Sequence, residues 1–92
     1  MTKDFRNRIV LETRRHVCQY SEAYLSRGIT ARKVASFYIK TSVYLESAGW
    51  DEEKIFKKIS QSVGNYMLIF KHGLTPAQYA KSCIEYDEFT KR

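Results

Sequence analysis

The sequence predicts an all-α protein, a compact bundle of four helices that forms one domain over residues 1–92. Three observations predict this class. Apolar residues recur at helical spacing along the chain, and no stretch alternates apolar and polar residues over the length of a strand. Gly28, Gly49 and Gly73 divide the chain into four such segments. A hydrophobic fraction of 43% is enough to build a core.

The first helix is predicted over about residues 5–27, which hold five of the seven arginines. Its core stripe consists of Phe5, Ile9, Thr13, Val17, Tyr20 and Tyr24. A second, narrower line consists of Leu11, Cys18 and Leu25, which are spaced by seven residues. Two arrangements bury both lines. Either neighbouring helices of the same chain cover them, or the second line is the seam of a homodimer.

The second helix is predicted over about residues 31–48. Gly28 directly after Arg27 is typical of a helix end, because glycine adopts the left-handed conformation that often follows the last turn. Thr30 is a favourable N-cap, since its hydroxyl accepts a hydrogen bond from a free N–H of the first turn. Gly49 ends this helix. The first two helices are therefore expected to pack as a hairpin across Gly28.

The third helix is predicted over about residues 52–71, with Asp51 as its N-cap. Glycine disfavours a helix interior, so Gly64 indicates a kink, a break, or a place where another backbone approaches closely. Residues 66–70, Tyr-Met-Leu-Ile-Phe, are apolar on nearly every side of a helix, which indicates burial in this chain or in a partner. We expect this segment to lie centrally in the bundle.

The fourth helix is predicted over about residues 76–89. Thr75, Pro76 and Gln78 form the pattern of a capped N-terminus, with Thr75 as N-cap, Pro76 at the first helical position and Gln78 completing a capping box. This is the clearest local signal in the chain.

The positive charge is concentrated in the first half of the chain. The net charge is +6; residues 1–40 carry nine Lys or Arg against three Asp or Glu, whereas residues 41–92 carry seven of each. Six of the nine N-terminal cations are arginines, whose planar donor groups suit phosphate and carboxylate alike. This segregation favours a surface that faces a polyanion or an acidic protein.

A hairpin of the first two helices is expected to bring six cations onto one surface. These candidate nucleic-acid-binding residues are Arg8, Arg14, Arg15, Arg32, Lys33 and Lys40. We expect a non-enzymatic binding protein whose surface contacts the backbone of RNA or DNA through charge. The alternative is a protein-binding regulator or inhibitor, such as a phage-type inhibitor of a host factor, that docks on an acidic partner surface.

The sequence contains no glycine-rich phosphate loop and no nucleophile elbow. His16 and Cys18 are two positions apart and point away from each other on a helix, and no Cys-x-x-Cys pair is present. We therefore expect no enzyme, no cofactor and no metal site. The longest apolar run, residues 66–70, is far shorter than the ~20 residues of a membrane span. A cytoplasmic protein with reduced cysteines is expected.

Overall fold

The computed structural model describes residues 1–91 and confirms the all-α bundle. Its elements in chain order are α1 (Lys3–Gln19), α2 (Ser21–Leu25), α3 (Ala31–Ser47), α4 (Glu52–Ser62), a 3-10 turn (Val63–Asn65), α5 (Tyr66–Lys71) and α6 (Pro76–Thr90). The four longer helices, α1, α3, α4 and α6, correspond to the four that the sequence predicts. Within residues 1–91, no helix has the length and apolar character that crossing a membrane requires.

Each of the three predicted N-caps is confirmed. The side chains of Thr30, Asp51 and Thr75 accept hydrogen bonds from backbone N–H groups in the first turns of α3, α4 and α6. The capping box at α6 is complete, because Gln78 returns a hydrogen bond of 2.9 Å by accepting from the Thr75 N–H. Such a cap is worth about 0.5–2 kcal/mol, so these short-range contacts fix where the helices begin.

The central helix is α3, which contacts α1, α4 and α6. The amino group of Met1 lies 3.1 Å from Oε1 of Glu46, which places the start of α1 beside the end of α3. The two helices therefore run antiparallel, as the predicted hairpin requires. On the α6 side, the rings of Phe37 and Tyr79 pack with their centres 5.9 Å apart.

The core is built mainly from branched aliphatic and aromatic side chains. Ile9, Val34 and Leu45 are fully buried where α1 and α3 meet the rest of the bundle, and each such side chain contributes about 1.5–3 kcal/mol by leaving water. The hydroxyl of Tyr38 donates a buried hydrogen bond of 3.1 Å to the Ser62 carbonyl oxygen. This bond satisfies a polar group that would otherwise destabilise the core.

The prediction of one unbroken first helix is wrong at Tyr20, where φ is −119° and ψ is 38°. Tyr20 was expected in the core stripe, but its side chain is 51% exposed. The break has a compensating gain, because Tyr24 is buried and its hydroxyl lies 2.7 Å from Nε2 of His16. The hydrogen bond and the burial of Tyr24 offset the loss of regular helix between α1 and α2.

Of the three interpretations of Gly64, the break is confirmed by the 3-10 turn. The expectation that residues 66–70 lie centrally in this chain is wrong, and burial of their exposed side chains in a partner stays a prediction. Tyr66 and Ile69 face the core, whereas Leu68 and Phe70 are exposed. The 3-10 turn separates this segment from α4, and the resulting helix α5 is only six residues long. Only one side of α5 therefore packs on the core, and the side chains on its other side remain exposed.

Candidate polyanion-binding surface

A cleft of about 490 Å³ lies between α1 and α3 and is called the α1–α3 cleft below. Four cations surround it: Arg6 and Arg14 on α1, and Arg32 and Lys40 on α3. Its remaining lining residues are Val10, Ala31, Ala35, Ser36 and Ile39. None of the residues named as its lining is acidic. The cleft thus combines an apolar floor with a wholly positive rim.

Helical spacing places these side chains in rows. Arg6, Val10 and Arg14 recur every fourth residue on α1, and such positions share one face of a helix. The small side chains of Ala31 and Ala35 on α3 leave the space that becomes the cleft. Eight residues of α-helix advance by about 12 Å, so the two arginines of α1 lie at opposite ends of the row. Because the helices are antiparallel, Arg6 belongs to the Lys40 end and Arg14 to the Arg32 end.

The four rim cations are available for a ligand. Within the part of the chain that the structure describes, none of Arg6, Arg14, Arg32 and Lys40 has a carboxylate oxygen within 4.0 Å. All four side chains are exposed. A phosphate or carboxylate group bound here would form charge-assisted hydrogen bonds without first breaking an ion pair.

A second depression, the α1–α4 groove, has a volume of about 540 Å³. Its lining residues are Arg8, Leu11, Glu12, Arg14, Arg15, Cys18 and Phe56. Arg14 lines both the cleft and the groove, so the positive surface continues across the outer face of α1.

The cations of the α1–α4 groove are partly neutralised. Nη1 of Arg8 lies 3.3 Å from Oε1 of Glu53, and its guanidinium stacks over the Phe56 ring, 4.2 Å from the centroid. Nη2 of Arg15 lies 2.7 Å from Oε2 of Glu12. The positive field is therefore weaker on this side of α1 than at the α1–α3 cleft.

The structure divides five of the six cations predicted from the sequence into two groups. Arg14, Arg32 and Lys40 meet at the cleft; Arg8 and Arg15 line the neighbouring groove and are paired with carboxylates.

Lys33 lines neither depression; its side chain is exposed, and its Nζ lies 5.7 Å from the centre of the Phe70 ring of α5. Its part in nucleic-acid binding stays a prediction. Arg6 was missed, although its spacing of eight residues from Arg14 places both on the same helix face.

The predicted seam residues are exposed: Leu11 is 63% and Leu25 68% accessible, and Cys18 is also at the surface. The interpretation that neighbouring helices of the same chain bury this line is therefore wrong. The break at Tyr20 places Leu25 on α2, so the line does not run along one helix as the spacing assumed. The homodimer remains a prediction.

The shifted pKa values of Cys83 and Asp87 are explained by burial and by ion pairs within the fold. Both cysteines are free, and burial raises the pKa of the Cys83 thiol. Asp87, near the end of α6, lies 2.8 Å from Nζ of Lys54 and 3.2 Å from that of Lys91, and these ammonium groups lower its pKa. Over residues 1–91, no three His, Cys, Asp or Glu side chains are grouped so that they would hold a metal ion.

The basic surface of α1 and α3 therefore consists of an acid-free cleft, a partly neutralised groove, and Arg14 at the ridge between them. Comparison of the chain with known protein families, with curated proteins and with solved structures gave no match.

Proposed function

We propose that this protein is a non-enzymatic binding protein that engages the phosphate backbone of RNA or DNA through the surface formed by α1 and α3. The observation that carries the proposal is the α1–α3 cleft, where four cations surround a depression without an acidic lining residue. Three of the four are arginines, and the arginine guanidinium group suits the geometry of a phosphate.

Charge accounts for the affinity of such binding, for its dependence on salt and for its low sequence specificity. Each cation that contacts a phosphate releases a condensed counterion, so the affinity falls as the salt concentration rises. Four to six contacts from the cleft and its neighbouring groove correspond to a slope of log affinity against log salt of about −3 to −5. Backbone contacts carry no sequence information, so the expected binding depends little on base sequence.

The test is a filter-binding titration at several salt concentrations, with wild-type protein and a pair of matched variants. Arg14→Gln removes the cation shared by the two depressions, and Lys81→Gln removes one from the exposed side of α6. Glutamine has nearly the helix propensity of either residue, so both variants are expected to fold. Arg14→Gln should weaken binding about tenfold at ~0.1 M salt and reduce the slope by about one. Lys81→Gln should change the affinity less than about twofold.

Two results would contradict the proposal. One is the absence of binding at about 50 mM salt, where backbone contacts are strongest. The other is an equal effect of Arg14→Gln and Lys81→Gln, which would mean that net charge matters and the placement of charge does not.

A second candidate function is a protein-binding regulator or inhibitor. The apolar floors of the two depressions favour it, because Val10 and Ile39 in the cleft and Leu11 in the groove offer hydrophobic contacts that a phosphate backbone does not use. An amphipathic helix with acidic flanks would match both the floor and the rim. Pull-down from a lysate with and without nuclease separates the two functions, since only a protein partner survives the nuclease.

The proposal includes a cytoplasmic setting. Cys18 is exposed and Cys83 is buried, and both are free thiols. Exposed free thiols are typical of a reducing compartment. Fractionation of the native cell, followed by immunodetection, tests this part directly.

A further inference from the structure

A third depression, the α1–turn groove, lies between the end of α1 and the 3-10 turn and has a volume of about 570 Å³. Its lining residues are Glu12, Arg15, His16, Gln19, Tyr20, Ser60, Gln61, Val63 and Gly64. Most of these side chains are polar and able to form hydrogen bonds, in contrast to the apolar floor of the α1–α3 cleft.

The ring of Tyr20 is presented to this groove and to solvent. The backbone break at Tyr20 removes it from the core stripe and leaves it 51% exposed. Its ring centre lies 5.1 Å from that of His16, so one part of the ring is supported by the protein. The hydrogen bond between Nε2 of His16 and the hydroxyl of buried Tyr24 holds the His16 ring in place. Tyr20 is therefore an exposed aromatic ring that packs on a second ring of the protein.

Polar groups around Tyr20 suit the edge of a nucleobase. Gln19 and Gln61 each offer an amide with donors and an acceptor, and both are exposed. Glu12 also faces the groove and, as a carboxylate, accepts hydrogen bonds from exocyclic amino groups such as that of cytosine. Because Glu12 and Arg15 are already paired at 2.7 Å, this groove offers little unpaired positive charge to a phosphate, and its polar side chains suit the edge of a base.

The α1–turn groove continues the basic surface. Glu12 and Arg15 line both this groove and the α1–α4 groove, and Arg14 joins the latter to the α1–α3 cleft. The guanidinium of Arg15 is well exposed and lies at the boundary. A strand whose phosphates follow the arginines of α1 therefore continues into the groove that contains Tyr20.

We infer that the protein binds single-stranded nucleic acid and that an unstacked base packs on Tyr20 in the α1–turn groove. The inference rests on the proposed function and specifies its substrate class. A base within a duplex is stacked on both faces and is not available to a side chain at the surface, whereas a base of a single strand is free to stack on an aromatic ring. The structure thus favours single strands over duplexes of equal charge.

The test compares a single strand of about 12 nucleotides with the same strand carrying abasic sites, which has the same phosphates and lacks bases. A duplex of the same strand is the third ligand; because it has about twice the phosphates, its affinity is compared per phosphate and should be below that of the single strand. Wild-type protein should bind the single strand between about fivefold and a hundredfold more tightly than the abasic strand, the range that one base–aromatic contact supplies. Tyr20→Leu should lose this advantage and keep the affinity for the abasic strand. Tyr20→Phe, which retains the ring, should keep it.

The matched control is Tyr86→Leu, because Tyr86 is an exposed tyrosine on α6, away from α1 and outside the three depressions. Its affinities should equal those of the wild type. Equal binding of base-bearing and abasic strands by wild-type protein, or no effect of Tyr20→Leu on that difference, would overturn the inference and leave the proposed function intact. Failure of every strand to bind at about 50 mM salt would overturn both. The wild-type comparison needs no variant, so the test survives if Tyr20→Leu misfolds.

Discussion

The two sides of α1 carry the same residue type and differ in how much of its charge is available. On the side facing α3, Arg6 and Arg14 line a cleft without an acidic lining residue. On the side facing α4, Arg8 lies 3.3 Å from a carboxylate oxygen of Glu53, and Arg15 lies 2.7 Å from one of Glu12. Arginines only a few residues apart therefore have different electrostatic surroundings.

The neighbouring helix causes much of this difference. The only acidic residue of α3 is Glu46, at its far end, where it pairs with the amino group of Met1. The N-terminus of α4 instead carries Asp51, Glu52 and Glu53, which stabilise its first turn through the N-cap and the helix dipole. The acids that stabilise α4 also neutralise the adjacent arginine of α1. The net charge of a segment thus overstates the charge it offers to a ligand.

The largest effect on nucleic-acid affinity is expected from removing two cations, and two double variants compare the two sides of α1. Arg6→Gln with Arg32→Gln changes the cleft, and Arg8→Gln with Arg15→Gln changes the groove; the net charge falls equally in both. At ~0.1 M salt the cleft variant should bind nucleic acid about a hundredfold more weakly, from about tenfold for each lost phosphate contact. The groove variant should lose less than about tenfold, because its arginines are already paired. Equal losses in a salt titration would contradict the comparison.

Short-range chemistry explains which parts of this arrangement were predictable. The N-caps Thr30, Asp51 and Thr75 and the break near Gly64 depend on a few adjacent residues, and each was read from the sequence. The hairpin of the first two helices also followed from the glycine between them. These features determine the α1–α3 pair and with it the position of the cleft.

The break at Tyr20 and the pairing of Arg8 were not predictable in the same way. The break depends on a gain made elsewhere, the burial of Tyr24 and its contact with His16. The pairing of Arg8 with Glu53 joins residues 45 positions apart, and it requires the start of α4 to lie beside α1. Helical periodicity reports which residues share a face but not which neighbour that face meets.

A smaller effect of opposite sign is expected from Glu53→Gln. Its side chain is 84% exposed, and exposed ion pairs contribute only about 0.2–1 kcal/mol. Removing the carboxylate frees Arg8 for a phosphate, so the affinity for nucleic acid should rise about two- to fivefold. The free energy of unfolding should fall by at most about 1 kcal/mol through the lost interaction with the α4 dipole.

The control for this gain is Glu88→Gln on α6, which makes the same change in net charge away from α1. Its affinity should stay within about twofold of the wild type, since screening limits the reach of an exposed charge. If Glu88→Gln strengthened binding as much as Glu53→Gln, the gain would come from net charge and not from the release of Arg8 by Glu53.

The smallest effect is a change in stability with pH, which we expect from His16 at the end of α1. Burial lowers the pKa of His16 below its ordinary value of 6.5, and nearby Glu12 partly opposes this shift. The unfolded chain therefore takes up a proton before the folded protein as the pH falls, and the free energy of unfolding decreases from about pH 7 down through the folded-state pKa. Chemical unfolding at several pH values should show this loss in wild-type protein and a flatter profile in His16→Gln. A parallel loss of stability in His16→Gln would show that another group is responsible.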